Sequence, residues 1–336
     1  MTTFKEISGK LIRTLATDPT PASNYEGQIW YNSTIGVLKS AELVAAAWAS
    51  APSLGTAFGR GGDAGTETAA VIFGGYSVPP APTSAVATTQ EYDGSTWSPS
   101  GNMNTARYIL GSFGTQTAAV GAGGYNFTVS PSGGFTNTEH YDGSTWTNAT
   151  SLPAGIHSVG STGTQTAGLI FGGANPGFTN ISSEYDGSTW TAGGNLNTTR
   201  GRLGGAGTQT SALGFGGRAG PSATGATESY DGSSWTTVNP LNTGRMYLSG
   251  CGTQTAAMGA GGYNTPPFQA FNNTELWDGT NWSTDASLGS PAAGNANTGN
   301  TTAALSAGGQ NPAGTLQTIS EEYTAEFIGT KTLTTS

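Results

Sequence analysis

The residues best placed to do chemistry recur at fixed intervals along the 336-residue chain. Asp93, Asp142, Asp186, Asp231 and Asp278 each open an Asp-Gly pair four residues before a tryptophan. A calcium ion needs several oxygens converging on one point, and each of these carboxylates stands alone in its own copy. They are expected to be turn residues that bond their own backbone. Arg107, Arg200 and Arg245 also recur, with Phe58 and His157 read at the matching place in two other copies. Sugar hydrolysis would add a nucleophile and an acid nearby, and no acidic residue recurs beside these arginines. A structural or rim-lining role is expected for them. His140 and His157 are the two histidines and Cys251 the one cysteine, too few for a zinc site, a triad or an intrachain disulfide framework. Cys251, between Gly250 and Gly252, reads as a small buried hydrophobe. No catalytic residue, metal ligand set or cofactor is expected, and the chain does not read as an enzyme.

What positions these residues is a repeat. Tyr-Asp-Gly-Ser-Thr-Trp stands at 92–97, 141–146 and 185–190, with close variants at 230–235 and 277–282. A second block travels with it: Gly-Thr-Gln-Thr, a small apolar run, then a Gly pair at 74–75, 123–124, 172–173, 216–217, 261–262 and 308–309. Successive pairs lie 49, 49, 44, 45 and 47 residues apart, and Trp48, Trp97, Trp146, Trp190, Trp235 and Trp282 keep the same five intervals. That period suits the four-stranded blade of a β-propeller. In the fourth copy the strands are expected at about 200–206, 209–215, 226–230 and 233–236. The Gly-Thr-Gln-Thr turns are expected to bond backbone across neighbouring blades. Tyr92, Tyr141, Tyr185, Tyr230, Trp277 and Tyr323 on third strands, with the tryptophans on fourth strands, supply the large surfaces that pack one blade on the next.

The repeat begins and ends out of phase. Ala45-Ala-Ala-Trp48 matches only a fourth strand, and Thr318-Ile-Ser-Glu-Glu-Tyr323 only a third. Pairing the two completes a sixth blade and removes exposed edges. The expected fold is all-β: a six-bladed propeller over 44–324 closed by its N- and C-terminal strands, an N-terminal extension over 1–43 and a tail over 325–336. Within the extension, Gly27 to Lys39 reads as a hairpin turning at Asn32 to Gly36. A lone hairpin is marginal in water, so it must lean on something, and Phe327 to Leu333 is a candidate strand beside it.

Composition agrees with a turn-rich β protein. Gly is abundant at 54 residues and charged residues reach only 9%, but the aromatic 10% falls in register with the repeat, which a disordered tract would lack. Much of the net charge of −9 is the repeated turn aspartate, and the scarcity of Lys and Arg argues against a nucleic-acid partner. No run reaches membrane-spanning length, and Lys5, Lys10 and Arg13 interrupt any signal-peptide core. A soluble chain without membrane insertion is expected.

The Gly pair ending the second strand, the Tyr in the third, the Trp in the fourth and Arg107, Arg200 and Arg245 before the first resemble the kelch family of β-propellers over about residues 44–324. The spacing from Tyr to Trp is five residues, shorter than in most kelch repeats. The Asp-Gly-Ser-Thr-Trp turn is similar to the Asp box of sialidase-type propellers, one residue short, which is a structural element. The copper-oxidase ligand set of one kelch branch is not identifiable. Separately, Asp18-Pro, then Glu26-Gly-Gln-Ile-Trp-Tyr-Asn-Ser-Thr and Leu38-Lys39, resemble a short element of bacteriophage tail-fibre and other virion proteins. That resemblance implies location on a phage particle, with the N-terminal segment joining other virion proteins or copies of the same chain.

The connections between second and third strands vary most, and an antiparallel blade places all six on one face. They carry Tyr76, Tyr125, Phe127, Phe135, Phe178, Tyr263, Phe268 and Phe271 among Pro, Asn and Ser. A rigid scaffold bearing divergent aromatic loops is how recognition surfaces are built, although the same rings could simply pin the loops. The function expected is a non-enzymatic virion protein whose loop face recognises a host-surface ligand such as a glycan. The alternatives are an architectural virion subunit without a ligand and a glycan-processing enzyme.

Overall fold

The computed structural model describes residues 13–19, 27–76, 85–129, 133–265 and 268–333, and these form strands, turns and loops without a helix. Glu26 of the virion-like element, parts of three variable loops and the last three residues lie outside them. The chain divides into two units, Met1–Ala47 with Thr324–Ser336, and Trp48–Tyr323.

The terminal unit is one four-stranded sheet. Ile29–Asn32 and Val37–Val44 form the hairpin, with Ile29 opposite Ser40 and Asn32 opposite Val37. Arg13–Leu15 adds a parallel strand on one side, and Phe327–Leu333 an antiparallel strand on the other. The N-terminal extension and the tail are therefore one body rather than two. Asp18 ties the sheet together: its carboxylate accepts bonds from Trp30 Nε1 at 3.2 Å and Asn32 Nδ2 at 2.8 Å, and pairs with Lys39 Nζ at 2.6 Å. The conspicuous residues of the virion-like element thus hold one another in place.

The larger unit contains six four-stranded antiparallel sheets built to one plan. In the fourth, the strands are Gly204–Thr208, Ser211–Phe215, Thr227–Tyr230 and Trp235–Val238. The first starts four residues later than the pattern predicts (204 against 200), because Arg200 is drawn into a buried ion pair and Arg202 takes a left-handed backbone, φ 63°. In the sixth sheet, Ala296–Gly299, Ala303–Ala307 and Ser320–Thr324 are joined by Ala47–Ala51 from the far end of the chain.

Each repeated residue type has a physical task. Asp186 Oδ1 accepts the Ser188 and Thr189 backbone N–H groups at 2.8 and 2.6 Å, and Oδ2 accepts Thr189 Oγ1 at 2.8 Å. These bonds close the Asp-Gly turn and hold the equivalent Asp93 and Asp142 carboxyls down near about 2. The tryptophans link sheets. Trp97, Trp146, Trp190, Trp235, Trp282 and Trp48 donate from Nε1 to Ser320, Thr89, Thr138, Ser182, Thr227 and Thr274 respectively, each on the third strand of the adjacent sheet. Gln209 of a Gly-Thr-Gln-Thr turn donates to the Gly168 and Tyr185 carbonyls of the preceding sheet, at 3.1 and 2.8 Å.

The Gly pairs form a seam. Gly75, Gly124, Gly173, Gly217, Gly262 and Gly309 donate from N to the carbonyls of Arg107, Ile156, Arg200, Arg245, Ala292 and Phe58, at 2.7–2.9 Å. Gly74 has φ +65°, and a Cβ there would lie 2.6 Å from the Arg107 carbonyl oxygen. Only glycine lets the backbones approach so closely. The seam also fixes the alignment of the copies: Ile156, not His157, stands where Arg107, Arg200 and Arg245 stand.

Candidate functional site

The first strands of all six sheets converge on a common axis and line a cavity of about 280 Å³. At one end, Arg60, Ile109, Ser158, Arg202, Tyr247 and Gly294 occupy equivalent positions. Each donates its backbone N–H to the carbonyl of the previous member, and Arg60 N donates to Gly294 O, so that six bonds of 2.6–2.9 Å run around the axis. To make them, all six adopt positive φ, from 51° to 66°. The left-handed region is uncommon for non-glycine residues, and a β-branched residue such as Ile109 is an outlier there. These five are the only described non-glycine residues with positive φ, which concentrates backbone strain at the mouth, a frequent property of functional sites.

One turn deeper, Asp63, Ser112, Ser161, Gly205, Gly250 and Asn297 hold equivalent places. Asp63 accepts Asn297 N at 2.9 Å and Ser112 Oγ at 3.3 Å. Burial without a cation pushes its carboxyl up to about 6. Asn297 Nδ2 meets Cys251 Sγ at 3.6 Å, and burial, then the Asp63 charge, pushes that thiol up. Cys251 is 8% exposed at the wall of the cavity, the small buried residue that its position between glycines suggests.

Cations and rings crowd the mouth. The Arg60 guanidinium lies 4.3 Å from the Tyr247 ring centre and 5.6 Å from that of Tyr76. Arg202 lies 4.9 Å from Tyr247 and 5.9 Å from Phe178. Tyr76, Tyr108, Tyr125 and His157 touch in sequence, with ring centres 5.9, 5.8 and 5.0 Å apart. Tyr247 stacks on Tyr263 at 5.6 Å with planes 13° apart, and Phe268 follows 4.8 Å on. Burial, with the Arg202 charge, lowers His157 to about 4, and burial raises Tyr108 to about 12. At neutral pH the mouth therefore sets a neutral His157 imidazole and a protonated Tyr108 phenol beside the arginines.

The distribution of charge separates this mouth from everything around it. Residues 48–323 contain six arginines and no lysine. Arg107, Arg200 and Arg245 are fully buried and pair with Glu139, Glu228 and Glu275; the last two pairs measure 3.2 and 3.1 Å. Each glutamate also accepts two backbone N–H groups of the preceding connection, as Glu228 does from Asn197 at 2.6 Å and Thr198 at 3.2 Å. These arginines are structural rather than rim-lining, the first of the two roles expected, and the expectation that no acidic residue recurs beside them is corrected: one does so in space.

The other three, Arg60, Arg202 and Arg218, are half-buried at the mouth end, and no carboxylate lies within ion-pairing distance among the described residues. Arg60 Nη2 donates to Gln310 Oε1 at 3.1 Å, Arg202 Nη1 meets only Met246 Sδ at 3.6 Å, and the Nε groups of both are buried without a partner. All twelve connections on this face, the six within sheets and the six between them, lack Asp and Glu in the sequence. The connections at the opposite strand ends carry all five turn aspartates and Glu67, and no Lys or Arg.

Of the eight aromatic residues expected on the loop face, Tyr76, Tyr125, Phe178, Tyr263 and Phe268 join the mouth cluster. Phe127, Phe135 and Phe271 stand outside its chain of ring contacts. Tyr76 and Tyr263 are buried walls, whereas Phe127 and Phe268 are 46% and 39% exposed. Arg60, Arg202, Arg218, Tyr108, Tyr247 and Gln310 were not singled out in the sequence. The signal that finds them is the absence of acidic residues from one set of connections. Among the described residues no group of His, Cys, Asp and Glu converges to hold a metal ion, and no helix is long and apolar enough to cross a membrane.

No protein-family model matches the chain, and no curated protein matches it. A solved structure of YjhT superposes with a TM-score of 0.69 over 83% of this chain and 99% of that one, at 14% sequence identity. That likeness is one of fold alone: an all-β chain of repeated four-stranded antiparallel sheets with β-propeller architecture.

Proposed function

We propose that the chain is a non-enzymatic virion protein, part of a phage tail fibre or similar appendage, that recognises a host-surface ligand through the arginine-bearing face. In this reading the larger unit is a six-bladed, kelch-like propeller. Ala47–Ala51 completes its last blade, and the terminal sheet attaches it to the particle or to other copies. The observation that carries the recognition role is the mouth itself: strained backbone, stacked rings and unpaired arginines gathered on a face stripped of carboxylates. Purely structural loops have no need of that arrangement, since burying half of a guanidinium without a counter-charge costs stability.

The virion setting rests on the N-terminal element. Asp18, Trp30, Asn32 and Lys39 of that element form one bonded cluster, which favours a structural module over a chance match of residues.

The experiment is binding of the full chain to a panel of bacterial envelope polysaccharides, with release of reducing ends followed in the same wells. Binding without release is the expected result. Release of sugar would replace this reading with a glycan-processing one. Binding to no member would leave an architectural subunit.

A further inference from the structure

We propose that the mouth of the axial cavity is a binding site for a carboxylate-bearing sugar, with Arg60 and Arg202 holding the carboxylate and the exposed Phe268 ring offering an apolar surface to the sugar. The inference rests on the recognition reading above and specifies its ligand class.

Three observations lead to it. First, the guanidiniums of Arg60 and Arg202 both lie against the Tyr247 ring, at 4.3 and 4.9 Å, so two cations share one aromatic neighbour at the mouth. Second, most of their N–H donors remain uncommitted: Arg60 bonds the Gln310 side chain, and Arg202 meets a thioether. A guanidinium presents its donors as a planar fork matched to a carboxylate. Third, the six backbone N–H groups at the mouth are consumed by one another. Phosphate sites commonly depend on a nest of free backbone N–H groups, and here none is left to form one. Phe268, 39% exposed and 4.8 Å from the Tyr263 ring centre, adds an apolar ring, and Gln310 beside Arg60 a neutral amide, both of which suit a sugar. Asp63 lies deeper in the same cavity and makes no ion pair with Arg60, so the cations remain available to an incoming anion.

The test is calorimetric titration of the full chain with uronate oligosaccharides (polygalacturonate and alginate fragments), with neutral galactose oligomers of the same length, and with sulfated galactan fragments. The proposal expects the uronates to bind at least about tenfold more tightly than the neutral oligomers, and Arg60→Gln and Arg202→Gln each to weaken uronate binding about tenfold or more. Raised salt should weaken the wild type more than either variant. The urea midpoint, measured on the same samples, should stay at the wild-type value.

Uronate binding that both variants retain would overturn the assignment of these arginines. Preference for the sulfated fragments would overturn the carboxylate class. Equal binding of neutral oligomers, lost in Phe268→Ala and indifferent to the arginine variants, would overturn the carboxylate class and leave the recognition face standing. Absence of binding by any saccharide would overturn both.

Discussion

Arg200 and Arg202 are two residues apart and live in different worlds. Arg200 is fully buried, pairs with Glu228 at 3.2 Å and donates to the carbonyls of Gly214 and Gly216 at 3.2 and 3.1 Å. Arg202 is half-buried at the axial mouth, with a thioether and two aromatic rings for company. The first is repeated in three sheets and always with its glutamate; the second has one counterpart, Arg60, and no carboxylate. A charge that the repeat copies together with its partner belongs to the scaffold. A charge that the repeat does not copy, and leaves unpaired, is available to something outside the chain.

The largest test of this contrast is to strip one partner from a buried pair. Glu228→Ala leaves Arg200 charged and unpaired and frees the Asn197 and Thr198 N–H groups, so denaturant unfolding should show a loss of about 3–5 kcal/mol. The molecule already contains neutral versions of the pair: Ile156 with Ser183 in the third sheet, and Phe58 with Gln90 in the first. Arg200→Ile with Glu228→Ser should therefore recover a substantial part of that loss. If the double variant is no more stable than Glu228→Ala, the pair does more than satisfy itself.

Asp63 supplies an intermediate case, a half-buried carboxyl on the cavity wall whose bonds come from Asn297 and Ser112 rather than from a cation. Its value rises from 3.8 to about 6 on folding, so between those pH values the folded state holds the proton more firmly than the unfolded chain. Stability should then fall as pH rises through that window and level off above it, by on the order of 3 kcal/mol. Asp63→Asn can accept the Asn297 N–H through its amide oxygen and donate to Ser112 Oγ from its amide nitrogen, and should be more stable than the wild type at pH 8, with the two curves meeting near pH 4. Equal slopes for the two proteins would show that Asp63 is solvated or paired in solution.

The smallest expected change completes the comparison. Arg202→Gln should alter the unfolding free energy by less than about 0.5 kcal/mol. A loss approaching that of Glu228→Ala would make Arg202 a scaffold residue after all.

What the sequence made legible was whatever the repeat copies faithfully. The Gly pairs, the Tyr and Trp positions and the Asp-Gly turns mark strand ends and inter-sheet contacts because their tasks are backbone geometry and packing, which are the same in every copy. The pairing of Arg107 with Glu139 was hidden by distance: the glutamate lies 32 residues away, one position after the strand's first threonine, and no local pattern ties it to the arginine. The mouth was hidden for the opposite reason. Its positions read Arg, Ile, Ser, Arg, Tyr and Gly around the axis, and a search for sameness discards such a set as noise. The late start of the first strands followed from the same region, where left-handed backbone at the mouth and the buried arginine before it delay the ladder.

The strand Ala47–Ala51 finds its partner, Ser320–Thr324, only after the intervening chain exists, from residue 52 to residue 319. At ribosomal speeds of about 5–20 residues per second, that strand waits roughly 13–54 seconds for the neighbour that covers its edge. During synthesis it is an unpaired edge, the kind that seeks other chains. A product cut short anywhere before Tyr323 would never acquire its last partner. Completion of the sheet is thus tied to translation of the end of the repeat, and a shorter product keeps that strand edge uncovered.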